Sequence, residues 1–508
     1  MNRNYYKECE SVREYVLPDY MGDVKKILSV NSRVVPSGKF LGDGTADFSG
    51  SVVYQVLYSD SEGKLTAIDT SSDWDTAINL GDSEYVDSGA EFRVESVSLR
   101  LGGPRKMILK SQVAIDVSVT YEDSVSVSGD AFDVDTEPQV SKKSVKLEKR
   151  TYLPTKPTEY SAEAETISGA TAEDIEIIAT SGSVRILEAV PTEEGVLVKG
   201  EIIITSIVRT EEEPPFAIRK IMPFEELVSA EGISPSAAGE AVMYISTVGA
   251  SVADGEDGAI LSVFASGELL CSVSENATES VVSDAYLVDY DTTPKYGDYK
   301  YTELLLSESG ECEISCNVSR EESACVGARE ILKSTCEVKS LVGEFCESGV
   351  KITGEAHFSG VACEINEENE TEYYQVKASC PIELTLPCSN FSGDGVTLDF
   401  KLVPTDSTAS LTSDSICFFS KLKRCVRILK DNIIKVMTEC NVNGEKEEKC
   451  SSTVTVYFPD SEDTLFSVAK RFRSTGARIA LDNELSEATL SGWDDKDSLH
   501  GVKRLIIK

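Results

Sequence analysis

The feature that most constrains the fold of this chain is an internal threefold repeat. Three glycines, Gly50, Gly200 and Gly354, lie in segments of similar pattern that read ADFSGSVVYQV, VLVKGEIIITS and VKITGEAHFSG. They are 150 and 154 residues apart in a chain of 508 residues. Because a repeat of that length matches the usual size of a domain, we expect three domains, each with its own core.

Apolar residues keep one register around the three glycines. They stand two residues before, two after and four after each glycine, as Phe48, Val52 and Tyr54, as Val198, Ile202 and Ile204, and as Ile352, Ala356 and Phe358. A period of two predicts a strand through each glycine. The glycine marks either a bulge or a close backbone approach, or it is a glycine tolerated within a strand.

Each repeat opens on a second shared pattern. An apolar pair stands 23 and 22 residues before each glycine: Ile27-Leu28, Ile177-Ile178 and Ile331-Leu332. A valine stands 16 residues before each glycine: Val34, Val184 and Val338. We expect a short helical segment at each pair, over residues 22–30, 172–180 and 327–335. A strand and a turn into the glycine strand should follow.

The composition favours strands over helices. The chain is rich in Val, Ile, Thr and Ser, and no series of strands alternating with long helices appears. These features predict a mainly β protein of three repeated domains that are sandwich- or barrel-like. We place the domains at residues 1–150, 151–298 and 299–450, with linkers at the Lys-, Thr- and Pro-rich segment 142–160 and the tyrosine-rich segment 289–301.

Net charge and the absence of targeting signals limit the classes of partner and the cellular location that we expect. The net charge of −38, from 87 acidic and 49 basic residues, would repel phosphate backbones and anionic lipid headgroups, so we expect no nucleic-acid or membrane partner. The N-terminus has no apolar signal region and no long apolar stretch occurs, which predicts a cytosolic protein. The 14 cysteines should then be reduced thiols, with later cross-linking in an oxidising environment left open.

The pattern changes at the C-terminus, over residues 452–508. The segment VTVYF predicts a strand, and Leu465, Val468, Ala469 and Phe472 form the apolar stripe of an amphipathic helix with Asp463 as its N-cap. ARIALDNEL predicts a second short helix, and VKRLIIK predicts a closing strand. We therefore expect a small βααβ domain.

Catalytic chemistry has few candidate residues. The only histidines are His357, expected to be half-buried and satisfied in a strand, and His500, expected in a polar loop. No Cys-x-x-Cys pair suggests zinc, and the glycine-rich turns lack the lysine of a phosphate loop. We predict no enzyme, no cofactor and no metal. The basic run 421–430 is either a solvated strand face or a docking surface for an acidic partner or another repeat.

Two parts of the sequence resemble known families. REYVLPDYMGDVKKILSVNSRVVPSGKF and GSVVYQVLYSDSEGKL, within residues 10–130, resemble the SPOCS domain, a β-rich module of spore-coat-associated proteins. DSEDTLFSVAKRF, ALDNEL and GVKRLIIK resemble a LysM domain. LysM domains bind N-acetylglucosamine polymers through the loop before helix 1 and the loop after helix 2. The resemblance implies a partner or glycan surface of Asp460, Asp463, Thr464, Lys470, Arg471, Asp482 and Asn483.

Together, the two resemblances are those of SipL-type spore coat morphogenetic proteins. In that family the protein works in the mother-cell cytosol, where its LysM domain engages the polymerising SpoIVA-type coat ATPase on the forespore surface. The resemblance implies a recruiter or tether of the spore coat, with homo-oligomers left open. Because the loop before helix 1 is acidic and lacks the family glycine, we favour a protein partner. Peptidoglycan or a chitin-like glycan is the alternative.

Overall fold

The computed structural model describes residues 2–42, 44–81, 85–121, 137–210, 213–323, 325–366, 370–388, 391, 394–445, 454–460, 462–485, 499 and 502–508. No helix among these residues is long and apolar enough to cross a membrane. His500 and Cys450 lie outside the described residues.

The chain is built almost wholly from strands, which confirms the predicted mainly β class. The strands are β1 (Asn2–Val16), β2 (Val24–Gly42), β3 (Thr45–Asp60), β4 (Leu65–Asn79), β5 (Tyr85–Gly103), β6 (Lys106–Tyr121), β7 (Gln139–Tyr152), β8 (Lys156–Ser168), β9 (Ile175–Thr192), β10 (Gly195–Thr210), β11 (Phe216–Ser229), β12 (Ala238–Asp254), β13 (Gly258–Tyr286), β14 (Tyr290–Ser319), β15 (Ala328–Cys346), β16 (Gly349–Ile365), β17 (Thr371–Pro387), β18 (Val396–Leu411), β19 (Ser415–Glu445), β20 (Thr455–Tyr457) and β21 (Leu505–Ile507). Two helices, α1 (Leu465–Phe472) and α2 (Gly476–Asp482), lie near the C-terminus.

One six-stranded arrangement occurs three times. Each repeat has two antiparallel three-stranded sheets, ordered β2-β3-β4 and β1-β6-β5 in the first repeat, β9-β10-β11 and β8-β13-β12 in the second, and β15-β16-β17 and β14-β19-β18 in the third. In the first repeat, Phe48 and Tyr54 of β3 and Leu109 and Ile115 of β6 are buried in one core. Each repeat is therefore a sandwich in which the inward face of every strand carries the apolar residues.

The three repeat glycines occupy equivalent positions, as their register predicts. Gly50, Gly200 and Gly354 all lie in the central strand of their sheet, and in each case the neighbouring strand has a β-bulge beside the glycine. A Cβ atom on Gly200 would stand 2.7 Å from the carbonyl oxygen of Arg185 and 2.6 Å from the Phe224 ring. The close-approach interpretation is therefore confirmed, because no side chain fits between the bulge and the opposing residue.

The prediction of helical segments at the start of each repeat was wrong. These segments belong to β2, β9 and β15, apart from one 3₁₀ turn at Ala172–Asp174. The register of each strand shifts at the apolar pair, so that Leu28, Ile178 and Leu332 are bulge residues without a cross-strand partner. A bulge places two adjacent side chains where alternation allows one, and this imitates the start of a helical pattern.

The three bulge residues meet at the centre of the molecule. They pack with the residues seven positions after each repeat glycine, and together they form the axial cluster of Leu28, Leu57, Ile178, Ile207, Leu332 and Val361. The residue 24 positions before each glycine contacts the preceding repeat, and for the first repeat the preceding one is the third. Lys26 donates to the Tyr373 carbonyl oxygen at 3.3 Å. Glu176 contacts Lys64 at 3.1 Å, and Glu330 accepts from the Ala217 amide at 2.9 Å. The repeats thus form a closed ring of approximate threefold symmetry.

The segments expected to be linkers are strands. Residues 139–152 form β7, which pairs with residues 272–286 of β13, and residues 290–304 of β14 pair with residues 429–445 of β19. We call these pairs the first and second ribbons. They pack on each other through Val145, Val281, Tyr299 and Val436. The domain boundaries at 150 and 298 fall within strands of these ribbons, and the division into domains stays a prediction.

A buried network of ion pairs joins all three repeats to the first ribbon. Arg150 of β7 contacts Glu91 of the first repeat at 2.7 Å and Glu240 of the second at 2.8 Å. Lys401 of the third repeat contacts Glu91 at 2.7 Å. Burial alone would raise the pKa of Glu91, but Lys401 and Arg150 hold it at about 2. Such a network fixes the relative positions of its strands, because each partner left alone would be a buried charge.

The packing of the repeat glycines gives a direct test. We expect Gly200→Ala to lower the free energy of unfolding by about 1–3 kcal/mol, since the methyl group overlaps the Arg185 carbonyl oxygen and the Phe224 ring. In the matched control Gly103→Ala the methyl group meets nothing within 4 Å, so a change within about 0.5 kcal/mol is expected. Denaturant unfolding of the full chain measures both. Equal losses would contradict this account of the repeat glycines.

Candidate functional site

The C-terminal module, residues 454–508, has the βααβ order that the sequence predicts. β20 pairs with β21 in a two-stranded antiparallel sheet, and the apolar stripe of α1 is buried against α2 and β21. Leu465, Val468 and Ala469 are buried, and Phe472 is partly buried against Tyr457 with ring centroids 5.2 Å apart. The predicted stripe therefore belongs to the core of the module, together with residues of α2 and β21.

The module is fixed to the end of the first ribbon. Tyr286, at the end of β13, is buried in the core of the module, where its ring meets Phe466 with centroids 5.3 Å apart. Its hydroxyl donates a buried hydrogen bond of 2.7 Å to the Ser474 carbonyl oxygen. A buried aromatic contact with a satisfied hydroxyl gives the module a defined orientation on the ribbon.

One predicted partner residue is already engaged within the chain. Lys470 of α1 contacts Asp284 of the first ribbon at 2.5 Å. The hydroxyl of Tyr296, on the second ribbon, donates to the same carboxylate at 3.0 Å. Arg473 comes within 3.8 Å of Asp291, but both side chains are exposed. This edge of α1 therefore faces the ribbons, and Lys470 holds the module in place.

Asp463 has a different role from the predicted N-cap. The N-cap of α1 is Thr464, whose hydroxyl accepts from the Ser467 amide while the Ser467 hydroxyl accepts from the Thr464 amide. Asp463 is only 8 % exposed. Its carboxylate accepts from the Tyr457 hydroxyl at 2.6 Å and from the Asp460 amide at 2.9 Å, and these two bonds lower its pKa. Asp463 thus joins the loop before α1 to β20.

Asn483 also has its polar atoms occupied inside the module. Its amide nitrogen donates at 2.8 Å to the carbonyl oxygens of both Ile479 and Ile506, and its amide oxygen accepts from the Ile506 nitrogen at 2.6 Å. The side chain therefore ties α2 to β21. The neighbouring Asp482 contacts Lys508 at 3.3 Å. Both residues named for the second loop thus stabilise the module.

Two predicted site residues remain on the surface. Asp460 is exposed, and Arg471 is exposed with its guanidinium stacked over the Tyr457 ring at 5.4 Å. Arg471 also lies 3.8 Å from Asp463. The seven predicted residues are therefore divided between this small exposed group and internal contacts.

Sequence reasoning missed an exposed apolar face of the module. Val454, Val456 and Phe458 are 60 %, 51 % and 68 % exposed. Val456 lies in β20 on the side opposite Tyr457, and Val454 and Phe458 flank the strand at alternate positions. We call them the β20 face. The alternation is visible in VTVYF, but a two-stranded sheet has two faces, and the sequence does not tell which one the helices cover. Leu481 on α2, 77 % exposed, is a separate exposed apolar residue.

The basic run 421–430 is a docking surface for other parts of the chain. It lies in β19, which has neighbours on both sides. Lys423 donates to the Ala241 carbonyl oxygen of the second repeat at 3.2 Å, and Arg427 pairs with Glu148 of β7. The alternative of docking onto another repeat is therefore confirmed, and the solvated strand face was wrong.

His357 and the cysteines are the described residues that bear most directly on catalysis. His357 contacts Glu355 of its own strand at 3.1 Å and is about two-fifths exposed. Thirteen cysteines belong to the part of the chain that the structure describes, and all are free thiols there. Within the same residues, no group of three or more His, Cys, Asp and Glu side chains could hold a metal ion.

Comparisons with known proteins add no family. No protein-family model matches the chain, and no curated protein matches it.

The role of Asp463 predicts a pH-dependent stability. At pH 7, Asp463→Ala should destabilise the module by about 1.5–3 kcal/mol, because the Tyr457 hydroxyl and the Asp460 amide lose a charged acceptor. Since the folded-state pKa is lowered, this stabilisation is present above the unfolded pKa of about 4 and is lost as the pH falls through the folded value.

Hydrogen exchange of the α1 amides between pH 7 and pH 3 measures the effect. Glu462→Ala is the matched control, because that side chain is exposed. A difference between the two variants that persists unchanged at pH 3 would argue against the charge of Asp463 as the cause.

Proposed function

We propose that this protein is a non-enzymatic scaffold of spore coat assembly in the mother-cell cytosol. Its C-terminal module recruits or tethers a polymerising coat ATPase of the SpoIVA type at the forespore surface. The biological setting rests on the resemblance of the sequence to SPOCS and LysM modules. The kind of partner rests on the surface that the module leaves exposed.

The β20 face is the observation that carries the proposal. Its three large apolar side chains are each more than half exposed, whereas most of the other described apolar residues of the module are buried, with Leu481 as an exception. Arg471 is exposed on the other side of β20, where its guanidinium stacks over the Tyr457 ring. An exposed strip of large apolar side chains is typical of a protein-binding surface.

The same geometry disfavours the glycan alternative. Sugar recognition needs polar groups that are free to accept and donate hydrogen bonds. Asp463 and Asn483, in the two loops implied for glycan binding, already bond to the backbone or to Tyr457. A glycan would have to compete with the bonds that hold α1 and α2 in place.

The rest of the chain supports a scaffold that presents the module at a fixed position. The buried pairs of Arg150 connect the ring of repeats to the first ribbon, and Tyr286 connects that ribbon to the module. Because these connections are buried, a partner bound to the module is held at a defined place relative to the ring.

The β20 face can be tested by removing its apolar character. We expect the double variant Val456→Thr, Phe458→Ser to bind the purified coat ATPase at least tenfold more weakly than the natural chain, a loss of about 1.4 kcal/mol or more. Threonine keeps the strand propensity at position 456, so the module should stay folded. Binding is measured by titration with the full chain.

Leu481→Ser is the matched control, because it removes an exposed apolar residue of the same module away from the β20 face. Chitin oligomers are titrated beside the ATPase. Unchanged ATPase binding by the double variant, together with saturable chitin binding, would replace this proposal with the glycan-binding alternative.

A further inference from the structure

Two adjoining cavities lie where the three repeats meet. One has a volume of about 300 Å³ and is lined by the second and third repeats with Asn31 of the first. The other, of about 380 Å³, is lined by all three repeats. They share Gly182, Ser183, Pro404 and Thr405 as lining residues. Each volume is at the lower end of the range for small-molecule sites, ~300–1,000 Å³.

Three cations that line these cavities have no carboxylate within ion-pair distance among the described residues. Arg33 donates to the carbonyl oxygens of Ile245 at 3.1 Å and Ser246 at 3.3 Å. Lys423 donates to the Ala241 carbonyl oxygen at 3.2 Å. Lys333 donates to the Gln55 side-chain oxygen at 2.8 Å. In a chain of net charge −38, cations paired only with neutral groups require an explanation.

Among the three cations, Lys333 has the buried ammonium group that most needs a partner. It is 7 % exposed, and burial lowers its pKa to about 8. Its ammonium group bonds to Gln55 and, at 3.1 Å, to the amide oxygen of Asn31 in the orientation that satisfies both groups. Its third proton has no acceptor within the described parts of the chain. The Gln55 side chain lies between Lys333 and Asp69, and its nitrogen donates to the Asp69 carboxylate at 3.1 Å.

Lys333 and Arg33 approach the cavities from related positions. Asn31, which contacts Lys333, and Arg33 are two residues apart in β2, so their side chains are on one side of that strand, about 7 Å apart along it. The shared lining between the cavities includes Ser183 and Thr405, and the Thr405 hydroxyl donates to the Lys421 carbonyl oxygen at 3.1 Å. One cation in each cavity and the Ser183 hydroxyl between them therefore remain to meet a ligand.

The carboxylates that line the two cavities are paired with cations, whereas Asp69, which lines neither cavity, attracts both Lys333 and Arg33. Glu91 and Glu240 line the larger cavity, but Arg150 binds both of them and Lys401 also binds Glu91. In the smaller cavity, Asp406 pairs with Arg219 at 2.7 Å. The charge left over is positive, and it lies in a partly enclosed space where electrostatic attraction is less screened than in water.

We propose that the region between Lys333 and Arg33 binds a small organic or inorganic polyanion, either a multivalent carboxylate or a phosphate compound. One anionic group would take the third proton of Lys333 and a second would reach Arg33, with the Ser183 hydroxyl as a further donor. The site lies inside the ring of repeats and is distinct from the C-terminal module. It adds a ligand that the scaffold function does not require.

Thermal unfolding of the full chain with citrate or inorganic pyrophosphate as probes tests the site. A ligand that binds only the folded state raises the melting temperature by an amount that grows with the logarithm of its concentration above the dissociation constant. We expect at least one probe to do so, with sodium chloride of equal ionic strength giving no such shift. A shift with citrate alone would identify a carboxylate ligand, and a shift with pyrophosphate alone would identify a phosphate ligand.

Lys333→Met should weaken binding of that probe at least tenfold, and Arg33→Gln provides a second variant if the first fails to fold. Lys435→Met, which removes an exposed lysine of the second ribbon, is the matched control and should bind as the natural chain does. The proposal is overturned if neither probe raises the melting temperature more than sodium chloride of equal ionic strength does. It is equally overturned if Lys333→Met and Arg33→Gln bind with the affinity of the control.

Discussion

The axial cluster is the contact on which the rest of the structure depends. Each repeat contributes one bulge residue to it, Leu28, Ile178 or Leu332. Each of these residues is the extra residue of a β-bulge and has no cross-strand partner. On an isolated sandwich these side chains would be exposed to water. In the ring they bury one another, so the bulge that interrupts each sheet also joins the three repeats.

The ribbons extend this arrangement to the C-terminus. β13, β14 and β19 continue past their sandwiches, and they form two ribbons, β13 with β7 and β14 with β19. Charged residues of β7 and β19 join the ribbons to the ring. The module then closes over Tyr286 at the end of a ribbon strand. A module connected only by a loose linker would search for its partner freely, whereas this one presents its β20 face in a fixed direction. That property is useful in a scaffold that must orient a polymerising partner.

Sequence reasoning predicted the fold where side-chain periodicity is simple and failed where it is interrupted. The alternation around Gly50, Gly200 and Gly354 specified three equivalent central strands. The pair Ile27-Leu28 was wrongly assigned to a helix because a bulge produces adjacent apolar residues. The lysine- and proline-rich segment around Arg150 predicts a linker, and only tertiary contacts show that Glu148 and Arg150 are buried and paired.

The candidate site shows the same division. The apolar stripe of α1 was predictable from its period, but the sequence could not tell that Asp463, Lys470 and Asn483 are engaged inside the chain, since their partners are Tyr457, Asp284 and the backbone of β21. The β20 face was missed for a related reason. Its exposure depends on which side of the two-stranded sheet the helices cover.

Hydrogen exchange of the full chain, alone and with saturating coat ATPase or chitin oligomers, tests the central claim most directly. The account predicts that the ATPase slows exchange at residues 454–458, and that chitin oligomers leave the whole module unchanged. Protection of residues 462–464 and 482–485 by chitin, with no protection of residues 454–458 by the ATPase, would contradict it.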